Sequence, residues 1–118
     1  MKRDMDLCRR ILLAVEDSTS GWNTGESDWG CEKDVLLYNC ELLQEAELLW
    51  GEKRGRSGEF DVIRLTWAGH EFVDAARDEK RWEEAKGIGD KVKNWTFATL
   101  GQVLAALASQ SWQQLISG

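Results

Sequence analysis

A histidine and two carboxylates lie close together in this sequence and are the first candidates for catalysis. His70 and Glu71 are adjacent, and Asp74 follows about one helical turn later. A zinc-protease motif reads H-E-x-x-H, but Asp74 stands where the second histidine is needed. Since no nucleophile motif accompanies these residues, we expect His70 to be structural and the protein not to be an enzyme.

The three cysteines, Cys8, Cys31 and Cys40, are candidates for metal binding or a disulfide. Their number is odd and no two form a CxxC pair, so reduced thiols in a cytoplasmic protein are the simplest interpretation. His70 has no close ligand pairs around it, and the glycines lack the G-K-[ST] sequence of a phosphate-binding loop. We therefore expect no metal, no cofactor, and thiols buried as small hydrophobic groups.

The negative charge of the chain is concentrated in one segment. The net charge is −6, and residues 11–52 hold ten anionic side chains and one cationic one. Such asymmetry bears on the partners of a protein rather than on its fold. Charged residues throughout the first 93 positions and a mean hydropathy of −0.47 argue against a membrane span there. The basic start lacks a cleavage site, so we interpret it as a helix rather than a signal peptide.

The first half of the sequence predicts two helices joined by a loop. Apolar residues at helical spacing predict a helix from Arg3 to Val15. Residues 17–31 predict a loop with one short extended piece, anchored by Trp22 and Trp29. A second helix runs from about Glu32 to Ala46. Its predicted buried side contains Val35, Leu36, Leu42, Leu43 and Ala46, and its predicted solvent side carries an acidic stripe of Asp34, Tyr38, Glu41 and Glu45.

The second half predicts a hairpin and further helices. Three glycines interrupt a run rich in β-branched and aromatic residues, which predicts strands near 48–53 and 60–65 with Lys53, Arg54 and Arg56 at the tip. Thr66 is placed to cap a helix from Trp67 to about Ala85. Residues 86–94 predict a connector. The uncharged residues 95–118 predict a C-terminal helix that packs on the domain or forms a homodimer seam over 95–117.

Three blocks of the sequence resemble a known family. They are "MKRDMDLCRRILLAVE", "YNCELLQEAELL" and "VIRLTWAGHEFVDAARDEKRW". They are similar to a family of short uncharacterised proteins of phages, prophages and other mobile elements, whose location would be the host cytoplasm. The resemblance covers most of residues 1–86 and implies a winged-helix-like fold and a mobile-element origin. The order of predicted helices and hairpin is itself an α+β plan, so we expect a winged-helix-like domain over residues 1–93 and a C-terminal helix over 94–118. The resemblance implies no activity.

Three residues depart from the pattern that the resemblance implies. Asn39 stands where histidine is expected, Glu41 where a basic residue is expected, and Glu47 where glycine is expected. Glycine just past a helix end adopts a positive φ cheaply, whereas glutamate does not. Residue 47 is therefore expected to be strained or still helical.

Two functions are compatible with this pattern. In the first, an acidic face binds a basic host protein or nucleoprotein complex, as an anti-CRISPR inhibitor does; its residues are Trp22, Asp28, Trp29, Glu32, Asp34, Tyr38, Glu41 and Glu45. In the second, a winged-helix regulator binds DNA through Lys53, Arg54 and Arg56. The acidic helix favours the first, because carboxylates near phosphates are repelled. A solubilising acidic face without a partner is the third interpretation.

Overall fold

The computed structural model describes residues 2–18, 22–23, 29–53, 59–92, 96 and 99–107. Within them the fold is α+β, with five helices and a three-stranded antiparallel sheet. The elements are α1 (Met5–Asp17), β1 (Trp22–Asn23), α2 (Lys33–Glu45), β2 (Leu49–Lys53), β3 (Phe60–Leu65), α3 (Trp67–Ala76), α4 (Glu79–Val92) and α5 (99–107). The residues group into two compact units, Met1–Val73 and Asp74–Gly118. The predicted division after residue 93 stays a prediction.

The amphipathic pattern at the start of the chain forms α1 as predicted. The helix begins at Met5 rather than Arg3 because Asp4 is its N-cap, and the Asp4 carboxylate accepts a hydrogen bond from the Leu7 N–H at 3.1 Å. One stripe of the helix is buried, formed by Met5, Leu7, Cys8, Ile11, Leu12 and Val15. This stripe supplies much of the apolar core of the first unit.

A buried amide joins α1 to α2. Asn39 is fully buried, and its Oδ1 accepts from the backbone N–H of Asp4 at 2.9 Å and from the thiol of Cys8 at 3.5 Å. Its Nδ2 donates to the carbonyl oxygen of Val35 at 2.9 Å. Because each polar atom has a partner, the amide can be buried without the penalty of an unsatisfied group. Asn39 therefore fixes where α2 lies on α1.

This amide also explains why the predicted buried side of α2 is partly wrong. The structure buries Leu36, Asn39, Cys40 and Leu43. Val35 and Leu42 are half-buried, and Ala46 is exposed. The core side of the helix is centred closer to Cys40 than the apolar pattern indicated, because polar Asn39 belongs to it.

The sheet has the strand order β1–β3–β2, and both pairings are antiparallel. The short β1 confirms the extended piece predicted between residues 17 and 31. Strands β2 and β3 confirm the predicted hairpin within one residue. Their register shifts between Trp50 and Gly51, which pair with Arg64 and Val62 respectively. A bulge of this kind bends a strand and re-aims its side chains. The arrangement is compatible with the predicted winged-helix-like fold.

The turn from α2 into β2 is strained at Glu47, whose φ is 62°. The Leu48 N–H donates to the Leu43 carbonyl at 3.0 Å and the Glu47 N–H donates to the Gln44 carbonyl at 2.9 Å. These two bonds define a Schellman motif, whose left-handed position is usually glycine. Of the two states expected for residue 47, the structure has the strained one.

Thr66 connects this turn to α3. Its hydroxyl donates to the Glu47 carbonyl at 2.6 Å and accepts from the Gly69 N–H at 3.0 Å, which confirms the predicted N-cap. A Cβ on Gly69 would overlap the carbonyl oxygen of Leu48. The beginning of α3 therefore lies directly against the backbone that follows the strained turn.

The prediction of one helix from Trp67 to Ala85 followed by a connector is wrong. α3 ends at Ala76, and a new helix begins because Asp78 accepts from the Arg81 N–H at 2.9 Å, a capping bond that also lowers the pKa of Asp78. α4 then continues through the predicted connector, including Gly87 and Gly89, to Val92. Glycine weakens a helix without ending it.

The predicted C-terminal helix is present over residues 99–107, where Thr96 caps it by accepting from the Thr99 N–H at 3.0 Å. Leu100 and Leu104 are buried, as are Trp82 and Ala85 of α4. The remainder of the predicted helix, residues 108–118, lies outside the described residues, so the homodimer seam stays a prediction.

Candidate functional site: an acidic helix face and a tryptophan groove

The acidic stripe predicted on α2 lies opposite the buried side of the helix. Asp34 and Glu45 are exposed, whereas Tyr38 and Glu41 are half-buried. Their spacing of three or four residues places them in one row along the helix. Glu32, which precedes the helix, is exposed as well. The structure thus brings four of the predicted residues, Asp34, Tyr38, Glu41 and Glu45, to one side of α2.

Trp29 contacts α1 through Arg10. The guanidinium of Arg10 lies 4.9 Å from the centre of the Trp29 ring and donates to the Trp29 carbonyl oxygen at 3.4 Å. Cation–π contact and hydrogen bonding together hold the half-buried indole against α1. Trp29 therefore anchors the chain before α2. Trp22 lies in β1, but its side chain is outside the described set, and Asp28 is outside it entirely.

The residues of the alternative DNA-binding surface fall largely beyond what the structure describes. Lys53 is the last residue of β2, but its side chain is outside the described residues. Arg54 and Arg56 lie within residues 54–58, which are outside them entirely. The predicted basic tip therefore stays a prediction.

A groove that the sequence interpretation missed lies beside the hairpin. Its volume is about 750 Å³. Two tryptophans line it, Trp50 with 54% and Trp67 with 80% of its surface exposed. Since large aromatic side chains are ordinarily buried, two such residues around one concavity indicate a surface for binding. The groove is lined by Gln44, Ala46, Glu47, Leu49, Trp50, Gly51, Glu52, Arg64, Thr66, Trp67 and Ala68.

Both indoles are held in place by polar neighbours. The guanidinium of Arg64 lies 4.2 Å from the centre of the Trp50 ring, and its Nη1 donates to the Leu65 carbonyl oxygen at 3.2 Å. The Trp67 Nε1–H donates to Glu71 Oε1 at 2.8 Å. Side chains fixed before binding lose less conformational entropy when a partner arrives.

The backbone at the groove requires a residue without a side chain. A Cβ on Gly51 would collide with the ring of Phe60 and lie 2.6 Å from the Asp61 carbonyl oxygen. The Gly51 N–H donates to the Gln44 side chain at 3.0 Å, which joins β2 to the end of α2. Gly51 thus lets the strand approach its neighbour closely where the register shifts.

Strand alternation is the signal that could have indicated the groove. Leu49 is buried, so its neighbour Trp50 must point to the other face of the sheet. Trp67 follows the N-cap Thr66, and the first turn of a helix is commonly exposed. The sequence interpretation assigned neither tryptophan to a face, so their common location was missed.

Other chemistry-bearing groups form no centre in the described residues. No group of three or more histidine, cysteine, aspartate or glutamate side chains is arranged there to hold a metal ion. His70 is exposed on α3 and is not a packed structural histidine. Cys8 and Cys40 are buried as expected, but Cys31 is exposed. Burial raises the pKa of both buried thiols to about 12.

The comparison with known proteins identifies the family. Residues 2–95 match the model of a family described as "Hypothetical protein (DUF2513)". The chain belongs to this family. A protein from Haemophilus influenzae strain Rd, described as an uncharacterized protein, is 31% identical over 115 residues, which is 93% of this chain and 98% of that one. No solved structure matches the chain.

Membership in DUF2513 covers both candidate surfaces. The matched range contains all of α2 and every residue of the tryptophan groove. Neither description names a reaction or a ligand. In the described part of this DUF2513 chain, no helix is long and apolar enough to cross a membrane.

Proposed function

We propose that this chain is a non-enzymatic, winged-helix-like protein of a phage or other mobile element that binds a basic protein surface through α2. The observation that carries the proposal is the acidic row, with Asp34 and Glu45 exposed and Glu41 half-buried, on the helix that precedes the hairpin. In a winged-helix protein that binds DNA, the helix at this position enters the major groove. Here it carries the wrong charge for that role.

The electrostatic argument against DNA rests on the side chains that α2 exposes. Residues 32–48 contain one cation, Lys33, and five carboxylates. A carboxylate about 4 Å from a phosphate costs roughly 1 kcal/mol in bulk water and several times more where water is partly excluded. Three or four such contacts would offset the favourable contribution of three cations at the hairpin tip.

The same row is suited to a protein partner. Tyr38 is half-buried between carboxylates, which combines an aromatic contact with charges that steer a basic partner. Basic surfaces in a bacterial cell belong mostly to proteins that handle nucleic acid. Occupying such a surface would block it, and the concrete form of the proposal is an anti-CRISPR-like inhibitor of a host defence complex.

A DNA-binding regulator is the second candidate. It is favoured by the strand order β1–β3–β2 and by a helix directly before the hairpin. Lys53, Arg54 and Arg56 would then contact phosphates. The alternative predicts binding to duplex DNA that weakens steeply with salt.

Charge reversal on α2 tests the proposal. In the variant Asp34→Lys, Glu41→Lys, Glu45→Lys, we expect loss of the proteins captured from a nuclease-treated bacterial lysate, with an unchanged circular dichroism spectrum. Unchanged capture would contradict the role of α2.

The matched control places the same charge change on α4. Glu79, Glu84 and Asp90 are exposed, and their replacement by lysine also raises the net charge from −6 to 0. If the control variant retains its captured proteins, the position of the carboxylates matters. Equal loss in both triple variants would indicate a general charge effect instead.

A further inference from the structure

We propose that the tryptophan groove, defined by Trp50, Trp67 and Arg64, binds an arginine-bearing segment of a protein partner. The groove is open, and 80% of the Trp67 surface is exposed. The faces of indole rings attract cations, and guanidinium groups stack on them particularly well. An arginine side chain that lies on Trp67 is therefore the occupant that this surface fits.

The structure already contains one example of this contact. Arg64 stacks on Trp50 at 4.2 Å from the ring centre, so the same groove holds a guanidinium on its first tryptophan. The second tryptophan is fixed by Glu71, whose Oε1 accepts from the indole N–H at 2.8 Å. The other oxygen of that carboxylate can accept from a guanidinium stacked on the ring.

Charge favours a cationic occupant over nucleic acid. The charged side chains lining the groove are Glu47, Glu52 and Arg64, so the lining is net negative although it contains a cation. Stacking platforms for single strands combine aromatic rings with a positively charged groove. Here the rings are accompanied by carboxylates, which repel phosphates and attract arginine.

The groove acts independently of the acidic row on α2. None of the residues Asp34, Glu41 and Glu45 lines it. The triple lysine variant should therefore still bind an arginine peptide through the groove. Because this measurement needs no natural partner, the inference and the proposed function can fail separately.

The test follows the indole N–H signals of the full-length, ¹⁵N-labelled protein by NMR. Trp50→Phe and Trp67→Phe identify the two signals. The probes are capped heptapeptides of glycine and serine with two arginines, two lysines, two glutamates or four prolines, together with a thymidine oligonucleotide. We expect the arginine peptide to shift the Trp67 signal saturably, the lysine peptide to bind more weakly, and the glutamate peptide to leave it unchanged.

Three variants make the assignment specific. Followed through the Trp50 indole signal, Trp67→Ala should weaken binding of the arginine peptide about two- to fivefold, which corresponds to the ~0.5–1 kcal/mol of an exposed cation–π contact. Glu47→Gln and Glu52→Gln should also weaken binding of the arginine peptide while preserving the shape of the groove. Since Trp67 is largely exposed, its removal should leave the fold unchanged.

The opposite results would overturn the inference. A groove that binds the proline peptide more tightly than the arginine peptide recognises an extended polyproline segment instead. Preferential binding of the oligonucleotide would indicate a nucleic-acid platform. An unchanged Trp67 signal at roughly 10 mM arginine peptide, above the range of weak millimolar contacts, would rule out the proposed occupant.

Discussion

Replacing Glu47 with glycine should stabilise the protein. Glu47 has a φ of 62°, the left-handed region, at the position of a Schellman motif that glycine usually occupies. An L-residue in this region is disfavoured by roughly 1–2 kcal/mol. Glycine avoids that strain but loses about 0.5–1 kcal/mol more conformational entropy on folding. The net gain expected for Glu47→Gly is therefore about 0.5–1 kcal/mol.

The control for this prediction is Glu47→Ala. Alanine removes the carboxylate, which is unfavourable near a helix C-terminus, but retains the Cβ and hence the backbone strain. The difference between the glycine and alanine variants isolates the conformational contribution. Both retain the Glu47 carbonyl oxygen that accepts from the Thr66 hydroxyl.

Urea unfolding monitored by circular dichroism measures the effect. We expect the midpoint of Glu47→Gly to lie on the order of 0.5 M urea above that of Glu47→Ala, with equal slopes. The melting temperature should rise by roughly 4 °C. A glycine variant no more stable than the alanine variant would refute the assignment of strain to residue 47.

Four further predictions concern side chains of the first unit. Thr66→Ala should lower the free energy of unfolding by about 1–3 kcal/mol, because the hydroxyl caps α3 and bonds to the preceding turn. Thr66→Ser keeps a hydroxyl and should lose little stability, and urea unfolding measures the difference between the two variants. Asn39→Leu should cost about 2–3 kcal/mol in the same assay, since it leaves the Asp4 N–H without its side-chain acceptor, and a neutral result would contradict the role of the amide. In native protein only Cys31 should react rapidly with a thiol reagent at pH 8, and Cys8 and Cys40 should react after unfolding. The pKa of these two thiols is about 12 in the folded protein and 9.0 ordinarily, so the unfolded chain loses their protons at lower pH. The free energy of unfolding should therefore fall above pH 9 by about 1.4 kcal/mol per thiol per pH unit. A Cys40→Ala variant should show a smaller slope.

Elements with strong local signals were predictable from the sequence. α1 follows from apolar residues at helical spacing, and the hairpin follows from β-rich segments separated by glycines. Thr66 was identified as an N-cap because threonine precedes a helical pattern. Each of these features depends on residues close in sequence, so a single sequence was sufficient to predict them.

Features that depend on tertiary contacts were not predictable in this way. The helix boundary at Asp78 was missed because a single aspartate is only a weak signal of a helix end where the apolar residues keep their helical spacing. Asn39 was counted outside the core because its burial requires partners on α1 that are distant in sequence. The tryptophan groove combines the end of α2, two strands and the beginning of α3, so no single segment of the sequence reveals it.

Fluorescence anisotropy with random duplex DNA at about 50 mM salt tests the central claim most directly. Low salt strengthens any phosphate-driven binding, so it gives DNA the most favourable conditions. An acidic α2 that faces protein predicts no binding at concentrations up to roughly 100 μM, which is the weak end of non-specific DNA affinities at physiological salt; those affinities are tighter at 50 mM salt. Micromolar or tighter binding would contradict the claim and establish that cationic residues elsewhere on the chain outweigh the acidic helix.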